Sequence, residues 1–208
     1  LEDKYGNTRL GRQELYAEVL DDYEGALWTY SMIENRRVMK SEVPEMQRIV
    51  VAIDPAVTNN ENSDETGIVV AGLGVDSRYY VLDDVSGKMT PDGWGRLAVD
   101  MFYKYQADRI VAEVNNGGDL VERLIRTIDS EASYTPVNAS RGKMVRAEPI
   151  SALYEQQKVH HVGSFSNLED QMISYTGEKN VSPDRLDALV WGLTELSRSS
   201  AQASWRIS

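Results

Sequence analysis

Ile49-Val50-Val51-Ala52-Ile53 is an unbroken apolar run that stops at Asp54-Pro55. A run of this length without polar alternation marks a strand buried on both faces. A polar stretch, Thr58 to Thr66, loops out, and two further strand-like runs follow, Gly67 to Leu73 and Tyr79 to Val85, separated by a turn at Gly74 to Ser77. These three form an antiparallel meander. After Pro91 the rhythm becomes helical, with Trp94, Leu97, Ala98, Met101 and Tyr105 recurring at i, i+3, i+4, i+7 and i+11. Arg109 to Val114 is again strand-like, and Asn115-Asn116-Gly117-Gly118 turns it into a helix with Leu120, Val121, Leu124, Ile125 and Ile128 on one side. A short strand near Thr135 to Ala139, a helix from Lys143 to Gln157 and an extended piece at Val159 to Val162 come next. The last element opens at Ser182-Pro183, the serine suited to cap it and the proline to be its first helical residue, and runs to about Ser197. A meander followed by helix–strand units predicts an α/β domain. Its mixed central sheet holds three antiparallel strands plus parallel ones and is flanked by helices.

Residues 1–47 lack this order. Gln13 to Leu20 fits one short helix, and Trp28, Met32 and Ile33 fall at helical spacing, yet no long apolar stripe forms. The stretch is expected to be a connector packed on a neighbouring body, with residues 48–208 as the domain proper. The chain opens on Leu1 rather than a methionine, as a piece of a longer protein would.

Charge narrows the function. With 33 acidic against 22 basic residues the formal net charge is −11, a poor basis for generic attraction to nucleic acid or an anionic membrane. Contact with DNA then requires a local basic patch or metal ions that invert the field. The absence of cysteine removes disulfide scaffolds, thiolate zinc sites, iron–sulfur clusters and a cysteine nucleophile. No apolar run approaches the roughly 18 residues of a membrane span. No GxxxxGK[ST] occurs, so there is no Walker A phosphate loop.

The acids carry the chemistry. Asp54 ends the first buried strand and Glu113 sits at the end of another. If those strands are parallel neighbours, both carboxylates fall on one rim of the sheet, where α/β folds bind ligands. Asp184 and Asp187, one turn apart, share a face at the start of the final helix, and Asp187 flanks its core stripe. Carboxylates gathered from distant positions repel one another unless cations lie among them. Oxygen donors alone favour Mg²⁺ or Mn²⁺ over zinc. Asp184 taken alone is equally explained by the helix dipole, and Asp64 and Glu65 by solvated surface. His160-His161 on a strand point to opposite faces and suit structural roles better than a shared ion. Arg141, Lys143 and Arg146 form the densest basic cluster and are the expected DNA-contacting surface, with a solvated helix start as the ordinary alternative.

Several ordered segments resemble the nuclease domain of the large terminase subunit of tailed bacteriophages. They are Ile49 to Pro55, Asp64 to Val70, Val111 to Asn115, Ser182 to Leu189, Val137 to Gly163, and the opening pieces Leu10 to Leu15 and Glu24 to Trp28. The resemblance covers nearly the whole chain. It implies an RNase H-like fold and a metal-dependent endonuclease that cuts concatemeric viral DNA during genome packaging. Asp54, Glu113 and Asp187 match the family's three principal acids, with Asp184 where some relatives carry a histidine. The mechanism expected on this basis uses two divalent cations, Mg²⁺ or Mn²⁺, with Asp54 between them and Glu113 and Asp187 on one each. The partners implied by the resemblance are double-stranded DNA, an ATPase domain of the same full-length protein, a portal and a small terminase subunit, in the cytoplasm of a bacterial host and with no membrane. Another RNase H-like nuclease, such as a junction resolvase, and a non-catalytic docking module of a packaging motor are the competing expectations.

Overall fold

The computed structural model describes residues 23–55, 65–114, 118–138, 142–177 and 183–204. Six strands, β1 (Met46–Asp54), β2 (Gly67–Gly74), β3 (Tyr79–Asp84), β4 (Arg109–Glu113), β5 (Tyr134–Val137) and β6 (Val159–His161), form one sheet in the order β5-β4-β1-β2-β3-β6. β1, β2 and β3 pair antiparallel, whereas β4 on β1, β5 on β4 and β6 on β3 are parallel. The mixed sheet follows the hydrophobic rhythm, down to the parallel placement of β4 beside β1. The helices are α1 (Tyr30–Glu34), α2 (Pro91–Lys104), α3 (Gly118–Ile128), α4 (Lys143–Glu155), α5 (Ser166–Ile173) and α6 (Asp184–Ser204). Among the described residues, no helix is long and apolar enough to cross a membrane.

Alternation along the strands builds two cores. Val51, Ile53, Ile68 and Val70 meet Trp94 and Ala98 of α2 and Ile125 of α3 on one face. Val50, Val69 and Ala71 meet Leu186, Leu189 and Leu193 of α6, Tyr154 of α4 and Met172 of α5 on the other. Covered on both sides, Val50 to Ile53 are fully buried, which is why that run carries no polar residue. α6 lies close against β1 and β2. A Cβ on its Gly192 would meet the Cβ atoms of Ala52 and Ala71 at 3.3 and 3.6 Å.

The segment before β1 joins the α6 face. Trp28 and Ile33 are buried in that core, and Trp28 stands edge-on to Tyr154 with ring centroids 6.1 Å apart. Just past α1, Arg37 donates to both carboxylate oxygens of Glu169 at 2.7 and 3.1 Å. His161 Nδ1 lies 2.7 Å from the same carboxylate, and its Nε2 lies 2.8 Å from the Tyr154 hydroxyl. His160 stacks on Tyr80 at 5.1 Å. Both histidines are therefore structural parts of the β6 edge.

α5 is not anticipated by the hydrophobic pattern, and α1 shows only as the helical spacing of Trp28, Met32 and Ile33. Helices of five and eight residues are too short to show a periodic stripe and are held by tertiary contacts. α6 starts at Asp184 rather than Pro183 and runs on past Ser197. Gln13 to Leu20, Asp64, the Asn115 to Gly117 turn and Ser182 lie outside the described residues.

Burial alone would raise the Glu169 carboxyl, but His161 and Arg37 bring it down from 4.5 to about 2. Its stabilising effect is thus complete above the ordinary carboxylate value and fades as pH falls towards the lowered one. Glu169→Gln, which leaves Arg37 with Glu34 as its remaining acidic partner, should cost about 1.5–3 kcal/mol near neutrality. In thermal unfolding from about pH 5 to about pH 3 the gap to wild type is expected to shrink; a gap independent of pH would contradict this account.

Candidate metal centre

The parallel register of β1 and β4 sets Ile53 beside Ala112. One residue on, Asp54 closes β1 and Glu113 closes β4. Adjacent strands lie about 4.8 Å apart, so the two acids start from neighbouring positions. They also share a face, because Ala52 and Val111, each two residues earlier, both pack against Trp191 of α6. On the other flank of β1, Asp54 is paired with Gly67. A Cβ on Gly67 would stand 2.0 Å from the carbonyl oxygen of Asp184. Glycine there lets the first turn of α6 settle against the sheet beside Asp54. Asp187 follows one turn along, its N–H donating to the Pro183 carbonyl at 2.8 Å. Glu113, Asp184 and Asp187 are all buried, between 5 and 8% exposed.

The structure thus brings together Asp54, Glu113, Asp184 and Asp187, contributed by β1, β4 and α6. Their charges act on one another. Burial first, then Asp187, Glu113 and Asp184, push the Asp54 carboxyl well above its ordinary value, with Lys143 opposing. Asp187 is also raised, by burial, against the pull of Lys143 and Arg146.

Two cations from α4 answer this charge. Lys143 donates through Nζ to Asp187 Oδ2. Arg146, three residues on, has Nη1 3.5 Å from Glu113 Oε1 and its guanidinium 4.3 Å over the Trp191 ring. Trp191 Nε1 donates to the other Glu113 oxygen at 2.8 Å. Lys143 and Arg146, expected from the sequence on DNA phosphates, therefore face the acids here; Arg141 lies outside the described residues.

With those contacts in place, no three His, Asp or Glu side chains among the described residues are gathered tightly enough to grip one ion. The donor set nevertheless fits a hard divalent cation. It offers carboxylate oxygens only, and its excess negative charge shows in the raised Asp54. A cavity of about 770 Å³, lined in part by Val38, Met39, Met46, Leu82 and Tyr105, lies at the opening end of β1 and contains none of the acids.

Two supports of the site are missing from the sequence reading. Arg185, between the two α6 acids, donates to both Glu65 oxygens at 2.9 and 3.1 Å and to Asp84 at 2.8 Å. Glu65 is therefore no solvated surface residue, as its polar loop suggests, but the partner of a buried arginine. A pairing across 120 positions leaves no local signal. Gln171 of α5 is the second: its Oε1 accepts from the backbone N–H groups of Arg185 and Leu186 at 3.1 and 3.2 Å. Ser182, the cap that the sequence offers, lies outside the described residues.

The mixed sheet, with acids closing two parallel neighbours and an abutting helix, is RNase H-like. The chain belongs to the terminase RNaseH-like domain family, whose profile matches residues 51–196. Among solved structures it is similar to the large terminase of a thermophilic bacteriophage, at 13% identity and a TM-score of 0.58 over 78% of this chain and 43% of that one. It is similar also to the large terminase nuclease of the thermophilic phage G20c, at 12% identity and 0.53 over 76% and 85%. The nuclease domain of the large terminase subunit gp2 of bacterial virus Sf6 gives 12% and 0.59 over 80% and 97%. At these identities the likeness is one of fold. The chain spans less than half of the first of these proteins, and no curated protein sequence matches it. A variant of the Sf6 domain has been solved with manganese.

Because Asp54 holds a proton more tightly folded than unfolded, ionising it at neutral pH costs the fold stability between its ordinary and its raised value. Asp54→Asn is thus expected to raise the Tm of the ion-free protein at neutral pH by roughly 2–4 °C, about 1 kcal/mol for a chain of this size. Thermal unfolding in EDTA checks this; an unchanged or lower Tm would refute the crowding of the carboxylates.

Proposed function

We propose that this chain is the nuclease part of a large terminase subunit, a metal-dependent endonuclease that cuts concatemeric viral DNA as packaging begins and ends. The observation that carries the reading is the convergence of Asp54, Glu113, Asp184 and Asp187, from three separate elements, on one rim of an RNase H-like sheet. A carboxylate cluster that destabilises its own fold needs a use to justify it.

Asp54, Glu113 and Asp187, with Asp184 beside them, would hold a pair of Mg²⁺ or Mn²⁺ ions. Bound there, such ions supply the positive charge that activates a water and stabilises the leaving oxygen in phosphodiester cleavage. The chain's own part is to fix the carboxylates. Trp191 orients Glu113 through its indole N–H, and Gly67 admits the α6 turn that brings Asp184 and Asp187. Lys143 and Arg146 pair with the acids and, once released from them, would hold the DNA backbone. Phosphate contacts of this kind position a duplex without reading its sequence, so little base preference is expected.

The wider setting belongs to the same proposal. A large terminase of a thermophilic bacteriophage has been solved with ADP, and this chain matches only part of such a protein. An ATPase domain of the full-length chain, a portal and a small terminase subunit would be its partners in the host cytoplasm.

Nicking of supercoiled plasmid in Mn²⁺, Mg²⁺ and EDTA, with Asp54→Ala and Asp187→Ala alongside, tests the reading. Cutting is expected only with the divalent ions. Each variant should lose more than about 100-fold, the upper range for losing a mere supporting partner of a metal ligand. Near-normal cutting by Asp54→Ala, or cutting that persists in EDTA, would overturn it.

A further inference from the structure

Glu169 and Gln171 lie two residues apart on α5, about 200° around the helix, and so face opposite ways. Glu169 faces the segment before β1 and the end of β6: Arg37 grips both its oxygens and His161 adds a third contact. Gln171 faces the start of α6. Pro183, the residue before α6, offers no side-chain oxygen to the N–H groups of the first turn, the service an N-cap residue normally performs. Gln171 performs it from another helix, accepting from Arg185 and Leu186 through one oxygen. Those two N–H groups sit between Asp184 and Asp187 in sequence. The cap therefore sets the pitch and direction of the turn that carries both acids.

We propose that Gln171 is a positioning residue for the acid site, and that the Arg37–Glu169 ion pair acts on that site through it. The inference rests on the nuclease reading above. α5 is then the link by which the segment ahead of β1 governs the acids of α6: Arg37 anchors one side of the short helix, and the anchored helix presents Gln171 at a fixed height to α6. Ligand carboxylates must be held to within about 0.5 Å to bind ions well. Loss of a supporting hydrogen bond of this sort typically lowers metal affinity about 10–100-fold.

The test uses the full 208-residue chain, with Mn²⁺ binding by calorimetry and backbone hydrogen exchange as its two readouts. In Gln171→Ala, exchange at the Arg185 and Leu186 amides should quicken and Mn²⁺ affinity should fall about tenfold. Gln171→Glu, whose carboxylate still accepts from both N–H groups, should keep slow exchange and restore the affinity. Arg37→Met should weaken Mn²⁺ binding in the wild-type background but not further in Gln171→Ala, since two residues acting along one route are non-additive. If Arg37→Met fails to fold, Arg37→Lys, which keeps the charge and loses the two-pronged grip, takes its place. Faster exchange with unchanged Mn²⁺ affinity would overturn the positioning role, and additive effects would overturn the part given to Arg37. A wild-type chain that binds no Mn²⁺ would sink the nuclease reading by itself. Unchanged exchange in Gln171→Ala would still overturn the Gln171 role in that case, with or without ions.

Discussion

Buried negative charge at one rim of the sheet is the constraint around which this fold is arranged. The parallel pairing of β1 with β4 forces Asp54 and Glu113 side by side, and the contact of α6 with Gly67 adds Asp184 and Asp187. Carboxylates in such a place must be neutralised, protonated or coordinated. The first remedy is visible, since Lys143 and Arg146 come in from α4, while burial and the neighbouring carboxylates push the Asp54 carboxyl up. α4 is thus more than a cover for the apolar core. Its first turn carries the charges that let the rim exist at all.

Around the rim the chain spends polar residues on fixing α6. Arg185 ties the start of the helix to Glu65 and Asp84, and Gln171 caps it from α5. Trp191 ties its middle to Glu113. These bonds come from three elements and the loop before β2, and converge on about two turns. Such convergence suits a helix that must hold two like charges near two others without drifting away from them.

Much of this was legible in the sequence for a simple reason: strands buried on both faces and helices of eleven or more residues leave long apolar signatures. The run Ile49 to Ile53 ending at Asp54, and Glu113 closing its own short strand, announced the rim, and the order of the elements announced parallel neighbours. The i, i+3 spacing of Asp184 and Asp187 put them on one face without any structure. Illegible were the short and the distant. α5, with three buried apolar residues in eight, had too little sequence to show a period. Glu65 looked solvated because its arginine lies 120 positions away. Lys143 and Arg146 were recognisable as a basic cluster, but only the fold could show that their first partners are the acids.

The seat of Gly192 on Ala52 and Ala71 has a consequence for ion choice. Where Gly192 meets Ala52 and Ala71, little side chain separates helix from sheet, and α6 is held close to β1 and β2. Such a cradle cannot swell by shuffling rotamers. Magnesium asks for oxygens at about 2.0–2.1 Å in a nearly octahedral cage, whereas calcium takes more ligands at about 2.3–2.6 Å and tolerates irregular ones. On the metal reading proposed above, a frame of fixed width would meet the first demand better than the second, and Ala52, two residues before Asp54, would be part of the gauge by which ions are sized.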